Sequence, residues 1–164
     1  MSESRPVWRV LFVCMGNICR SPTAEGMLRK RLQDEGLDAR IEIDSCGTGA
    51  WHVGQAPDPR AVQAASERGV DLSGLRGRQL AQQDFAQFDE ILVMDTDNLD
   101  QVLARRPEGS RARVSRLLQY ANQPDTDVPD PYFGGEAGFL RVLDQLELAV
   151  EGLTASLRQR VGGA

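Results

Sequence analysis

The run Arg9–Cys14, RVLFVC, is the strongest single constraint on what this chain folds into. It is too short for a membrane span or for the apolar heart of a secretion signal. After Arg9 it also lacks the polar residue at every second position that a strand with one wet face would show. An uninterrupted run of this length suits a strand covered on both faces, as in a parallel sheet. The pattern then changes. From Ser21 to Glu35, Ala24, Met27, Leu28 and Leu32 recur at helical spacing between charges, Pro22 sits in a first turn that tolerates it, and Gly36 provides a stop. Strand, loop and helix thus follow one another at the start of the chain.

The same alternation continues. Arg40–Ser45 predicts a second strand, and the glycine-rich stretch Cys46–Pro57 a long loop. Asp58 and Pro59 predict an N-cap and first helical residue for a helix reaching about Arg68 and stopping at Gly69. Phe88–Asp95 predicts a third strand, Asp97–Arg106 a helix closed by Pro107, and Arg113–Leu118 a fourth strand. Asn122–Gly135 is a polar loop with three prolines. Phe139, Leu143, Leu146, Val150, Leu153 and Leu157 stripe a final amphipathic helix from Glu136 to about Arg160. The expectation is an α/β fold: one three-layer domain spanning residues 1–164, its core from about 8 to 161, with a four-stranded parallel sheet flanked by helices in a flavodoxin-like topology. In such sheets ligands bind at the carboxyl ends of the strands, which is where the loop after Cys14 falls.

With 164 residues, 41% hydrophobic and 26% charged, the composition is that of an ordinary globular domain. The formal net charge of −5 argues against a nucleic-acid partner but allows a locally positive pocket. The three cysteines, Cys14, Cys19 and Cys46, do not form a disulfide framework, and His52 is the only histidine, so no zinc cluster is expected. A reducing cytoplasm is the expected location, with no insertion into a membrane.

The loop Cys14-Met15-Gly16-Asn17-Ile18-Cys19-Arg20-Ser21 carries the chemistry. Gly16 is expected to permit a turn that a side chain would resist, and Asn17 tolerates left-handed backbone. With the helix dipole behind them, the loop's N–H groups make a nest for a tetrahedral anion. Arg20 adds a planar fork able to hold two phosphoryl oxygens at once. The same positive field should favour a thiolate on Cys14, and Ser21 follows closely enough to donate a hydrogen bond to it. Chance C-x5-R patterns and inert buried cysteines are common. Here the cysteine ends a buried strand and the arginine opens a helix, which a merely packed cysteine does not need.

Transfer of a phosphoryl group to sulfur expels an alkoxide or phenoxide that must be protonated. Asp130, stiffened by Pro129 and Pro131, is the candidate acid. Tyr132 and Phe133 beside it would supply flat apolar walls for an aromatic leaving group and, by desolvation, keep the acid form available. The competing reading is a turn aspartate with two exposed aromatics, and Asp125 and Asp127 lie in the same loop.

Taken together, VCMGNICRSP near the N-terminus, Ser45-Cys46-Gly47-Thr48 leading to Trp51, Pro57-Asp58-Pro59-Arg60, Ile91–Asp95 and Val128–Phe133 resemble the low molecular weight protein tyrosine phosphatase family in order and spacing. The resemblance implies hydrolysis of phosphotyrosine and aryl phosphates through a phosphocysteine intermediate. Cys14 would be the nucleophile, Arg20 the phosphoryl ligand, and Asp130 the general acid and then base. It implies that Asn17, Ser21 and Ser45 hold the loop in shape and that Trp51, His52, Tyr132 and Phe133 line the substrate cleft. Cys19 would form a reversible disulfide that protects Cys14. The expected partner is a phosphotyrosine-containing protein, in bacterial relatives often a tyrosine kinase. No metal or other cofactor is expected, because nest and arginine supply the positive field. One departure stands out: where some members carry a histidine supporting the loop asparagine, this chain has Leu75. Arsenate reduction on a similar scaffold would need relay cysteines around residues 80–95, and there are none. A non-catalytic phosphotyrosine-binding module would need neither Cys14 nor Asp130.

Overall fold

A computed structural model of the chain describes residues 8–131 and 135–162. Tyr132 and Phe133, expected in the cleft, lie outside them. Four parallel strands form one sheet in the order β2-β1-β3-β4: β1 (Trp8–Cys14), β2 (Ile41–Gly47), β3 (Glu90–Val93) and β4 (Arg113–Arg116). Helices α1 (Arg20–Asp34), α2 (Pro59–Ser66), α3 (Asp84–Gln87), α4 (Thr96–Arg105) and α5 (Gly135–Gly162) alternate with them. The α/β expectation and its flavodoxin-like strand order are therefore borne out.

The apolar run explains the layering. In β1, Val10, Phe12 and Cys14 join a core shared with α1, α2 and α5, while Leu11 and Val13 join a second core with Phe85, Phe88 and Val102. β3 divides likewise, with Leu92 on one side and Ile91 and Val93 on the other. All six stripe residues of α5 are buried in the first core. Strand order reverses direction at β1, since β2 lies on one side of it and β3 on the other. The crevice at the carboxyl end of β1, where Cys14 stands, is thus the topological switch point.

Several boundaries differ from expectation for local reasons. β2 runs on through Cys46 and Gly47 because they pair with Val13 and Cys14. α1 begins at Arg20 and closes at Gly36 (φ +73°), with Gly36 N–H donating to Gln33 O and Leu37 N–H to Leu32 O in a Schellman end. Asp58 caps α2 as expected, by accepting from Arg60 N–H, but the helix ends at Ser66 and a turn completes the path to Gly69. β3 is shorter than predicted because Asp95 leaves the strand to cap α4, accepting from Asn98 N–H at 2.8 Å. β4 stops at Arg116, and Leu117–Ala121 form a 3₁₀ turn ending at left-handed Asn122 (φ +62°). The four-residue α3 gave too short a pattern to be predicted.

Candidate active site

The loop between β1 and α1 is shaped by its carbonyls facing outward. Cys14 and Met15 C=O accept from Thr48 and Gly49 N–H, Ile18 C=O accepts from Asp58 N–H at 2.7 Å, and Cys19 C=O accepts from Thr23 N–H. Among the described residues, the N–H groups of Met15, Gly16, Ile18, Cys19 and Arg20 donate to no protein acceptor. The loop therefore offers a set of unspent donors at a helix N-terminus, which is the arrangement that binds a tetrahedral anion. Asn17 supplies the turn with φ +56°. Gly16 does not have positive φ, so its expected role as the turning residue is corrected. Its missing side chain instead admits His52, whose Cδ2 would lie 2.9 Å from a Cβ there.

The sulfur of Cys14 is met by Ser21 Oγ at 2.9 Å and by Asn17 N–H at 3.3 Å. The direction of the Ser21 bond follows from its neighbours. Arg78 N–H donates to Asn17 Oδ1 at 2.9 Å, which turns the amide nitrogen of Asn17 toward Ser21 Oγ (2.8 Å) and Ser45 Oγ (3.0 Å). Ser21 thus accepts from Asn17 and keeps its own proton, for which the sulfur at 2.9 Å is a nearer acceptor than Cys46 C=O at 3.4 Å. Ser45 Oγ donates to Glu25 Oε1 at 2.6 Å, and Glu25 is braced by Arg29 through Oε2. This chain accounts for Leu75. With no histidine to hold Asn17, the backbone of Arg78 and the Ser45–Glu25 pair hold it, while Leu75 packs against the larger core. Arg78 is itself clamped by a two-pronged pair with buried Asp84 and by Asp44.

Burial pushes the Glu25 pKa up, against the opposing pull of Ser45 and Arg29. A raised folded pKa means its contribution to stability is full below the ordinary carboxylate range and falls as pH rises through the folded value. Glu25→Gln, which keeps an acceptor for Ser45, should weaken that fall and largely retain activity. Glu25→Leu should break the chain and lower kcat about tenfold or more through misplacement of the loop. Equal kcat for the two variants and wild type would show that the chain does not position the loop.

Arg20 is only 2% exposed, yet its guanidinium is firmly charged. Burial alone would lower its pKa, but Cys14, Asp95 and Asp130 together raise it. Nη1 is occupied by Asp95 Oδ2 (2.6 Å) and Val128 C=O (2.9 Å), which leaves the Nε–Nη2 edge as the fork. Nη2 lies 3.8 Å from Asp130 Oδ2. Val128 N–H also donates to Met94 C=O at 2.7 Å, so the segment carrying Asp130 is pinned to the end of β3. Cys14, Met15, Gly16, Ile18, Cys19, Arg20, His52 and Asp130 line one cavity of about 140 Å³. His52 is thus in this pocket, whereas Trp51 lies in the adjoining groove. Cys19 is distinguished from Cys14 by its surroundings: burial, then the charges of Cys14, Asp58 and Asp130, lift its thiol far above the usual range. Cys46 is a fully buried core residue.

Sequence reading did not single out Asp95, Glu25 or Arg78 as parts of the site. Asp95 had a legible signal, an acid at the carboxyl end of a strand just before a helix. Glu25 sits on the buried face of α1, where a carboxylate requires a partner.

Residues 9–162 match the family described as low molecular weight phosphotyrosine protein phosphatase. The chain belongs to this family. A low molecular weight protein-tyrosine-phosphatase of Streptomyces coelicolor is 41% identical over 160 residues, covering 95% of this chain and 97% of that protein. A protein tyrosine phosphatase from Entamoeba histolytica, solved with Hepes in its active site, superposes with a TM-score of 0.87 at 39% identity, covering 96% of this chain and 99% of that one. The fold is also shared with a drosophila arginine phosphatase (TM-score 0.84, 32% identity, 91% of this chain and 97% of that one).

Proposed function

We propose that the family's reaction, hydrolysis of phosphotyrosine through a phosphocysteine intermediate, is carried out here by Cys14, Arg20 and Asp130. The observation that carries this reading is their convergence on one small cavity ringed by unspent N–H donors. The dianionic phosphoryl group enters the nest and takes the Nε–Nη2 edge of Arg20. It competes with Asp130 for Nη2 and so frees that carboxyl to face the leaving oxygen. The Cys14 thiolate attacks in line; the S–P bond forms, the P–O bond breaks, and Asp130 gives its proton to the departing phenoxide. Water then attacks phosphorus, passing a proton to Asp130. The S–P bond breaks, and the Ser21 hydroxyl stabilises the returning thiolate. Loop donors and Arg20 offset the charge that builds on the equatorial oxygens.

Met15 and Ile18 at the pocket wall favour an aromatic ring over a guanidinium, and Asp130 is the one carboxylate among the described lining residues. Parallel assays of phosphotyrosyl and phosphoarginyl peptides should therefore show the first turned over roughly tenfold faster or more. The reverse preference would replace the tyrosine reading with an arginine one. Asp130→Ala should lower kcat/KM, which reads the step that expels the phenol, about 10²- to 10⁴-fold for phenols that leave poorly, and much less for p-nitrophenyl phosphate. A uniform loss across leaving groups would remove Asp130 as the acid.

The substrate is a phosphorylated protein, and a bacterial tyrosine kinase is the proposed example; recovery of such a kinase on a Cys14→Ser trap, lost in excess vanadate, would identify it. No helix among the described residues is long and apolar enough to cross a membrane, and the three cysteines are unpaired, which fits work in the cytoplasm. Cys19 shares the pocket with Cys14. Peroxide would convert the Cys14 thiolate to a sulfenic acid, from which the Cys19 thiol displaces water to close a disulfide. Activity lost to mild peroxide should return with a thiol reductant. Cys19→Ala should instead lose activity irreversibly, and equal recovery of the two would rule out this protection.

A further inference from the structure

Across Met15 from the catalytic pocket lies a larger groove of about 620 Å³. Met15 lines both, so the two cavities adjoin. The groove's floor is bonded to the catalytic loop itself: Thr48 N–H donates to Cys14 C=O, and Thr48 C=O accepts from Gln79 Nε2 at 3.2 Å and Arg105 Nη1 at 2.9 Å. Arg105 Nη2 reaches Gln101 Oε1 at 3.3 Å. Among the described residues both partners of this guanidinium are neutral, so none of them gives it a countercharge. Asp97 also lines the groove, but it lies in the first turn of α4 and Arg105 in the last, about 12 Å apart along the helix axis. The wall is Trp51, 70% exposed, whose ring lies over Gly49 so closely that a Cβ there would collide with it. Met15 is exposed as well. A large aromatic face and a fixed cation that line one groove adjoining a phosphatase pocket are the elements of a peptide-binding hot spot.

We propose that this groove docks the substrate polypeptide flanking the phosphorylated tyrosine, with Arg105 meeting an acidic side chain of that segment. The proposal rests on the phosphatase reading above. With the phosphoryl group in the nest, the tyrosine backbone lies at the rim formed by Met15 and His52. An extended chain advances about 3.3 Å per residue, so the groove receives residues within a few positions of the phosphotyrosine. The amide side chains of Gln79 and Gln101 suit a peptide backbone, and the exposed face of Trp51 suits a neighbouring apolar side chain. A carboxylate at the Arg105 end gains a charge-assisted bond that a neutral residue does not.

The test compares three substrates: a phosphotyrosyl peptide with flanking glutamates, the same peptide with glutamines, and p-nitrophenyl phosphate. The proteins are wild type, Arg105→Glu and Arg105→Gln, the last keeping a donor for the Thr48 carbonyl. Wild type should favour the acidic peptide through KM. Both variants should raise KM for that peptide about three- to tenfold, with smaller effects at high salt, and leave p-nitrophenyl phosphate within twofold. A lysine-flanked peptide, run as a fourth substrate, should regain affinity for Arg105→Glu. Equal changes in KM for acidic and neutral peptides, or no change, would overturn the proposal. So would a concentration-dependent dimer dispersed by Arg105→Glu with peptide kinetics unaltered, which would assign the groove to a second copy of the chain. Failure of wild type on all three substrates would strike the phosphatase reading instead.

Discussion

Cys14→Ser should lower turnover of every phosphate ester by about 10⁴-fold or more while leaving phosphotyrosine binding in place. The reason is that the site separates attack from grip. Attack depends on one sulfur, which Ser21 Oγ and Asn17 N–H meet at 2.9 and 3.3 Å. A serine hydroxyl at position 14 is a far poorer nucleophile, and no other described group in the pocket replaces it: Cys19 is held as a thiol by burial and by the negative charges around it. Grip depends on loop N–H groups and Arg20, which the substitution does not touch. Isothermal titration with a phosphotyrosyl peptide and single-turnover kinetics read the two properties separately. Binding lost along with activity would mean that the sulfur also organises the loop.

Arg20→Lys should cost about 10³-fold in kcat/KM despite conserving charge. Two anchors on Nη1, Asp95 and Val128 C=O, fix the guanidinium, and the geometry leaves its Nε–Nη2 edge for the phosphoryl group. An ammonium can satisfy Asp95 or the phosphoryl oxygens, but it has no second edge with which to do both. Asp95 gives this prediction a control. As both the partner of Nη1 and the cap of α4, it holds Arg20 and the helix start with separate oxygens. Asp95→Asn keeps an acceptor for Asn98 N–H and weakens only the ion pair, so it should lose about tenfold in kcat with little loss of thermal stability. Steady-state kinetics beside thermal unfolding checks this. A large drop in stability with intact kcat in the surviving fraction would make Asp95 a structural cap and nothing more.

These expectations show which parts of the site are local. The nest, the nucleophile and the helix behind it lie within one strand–loop–helix segment, and an uninterrupted apolar run followed by a helical pattern is enough to place them. The caps Asp58 and Gly36 were legible for the same reason. The supports were not. Arg20 and Asp95 are 75 residues apart in sequence, and Asn17 meets Arg78 across 61, so no periodicity connects them. Gly16 shows the converse: its residue type was informative, but it serves close approach by His52, while Asn17 supplies the left-handed turn. Leu75 marked a missing support in the sequence without revealing its replacement, because a backbone N–H leaves no trace in residue identity.

The central claim is a covalent phosphocysteine at Cys14. Asp130→Ala slows the second step by removing the base, and p-nitrophenolate leaves without needing the acid. Rapid quenching of this variant during turnover of p-nitrophenyl phosphate, followed by peptide mass spectrometry, should find one phosphoryl group on the peptide containing Cys14. The label should vanish when Cys14→Ser is added. A quenched enzyme carrying no phosphoryl group while product accumulates, or one labelled at another residue, would contradict the account.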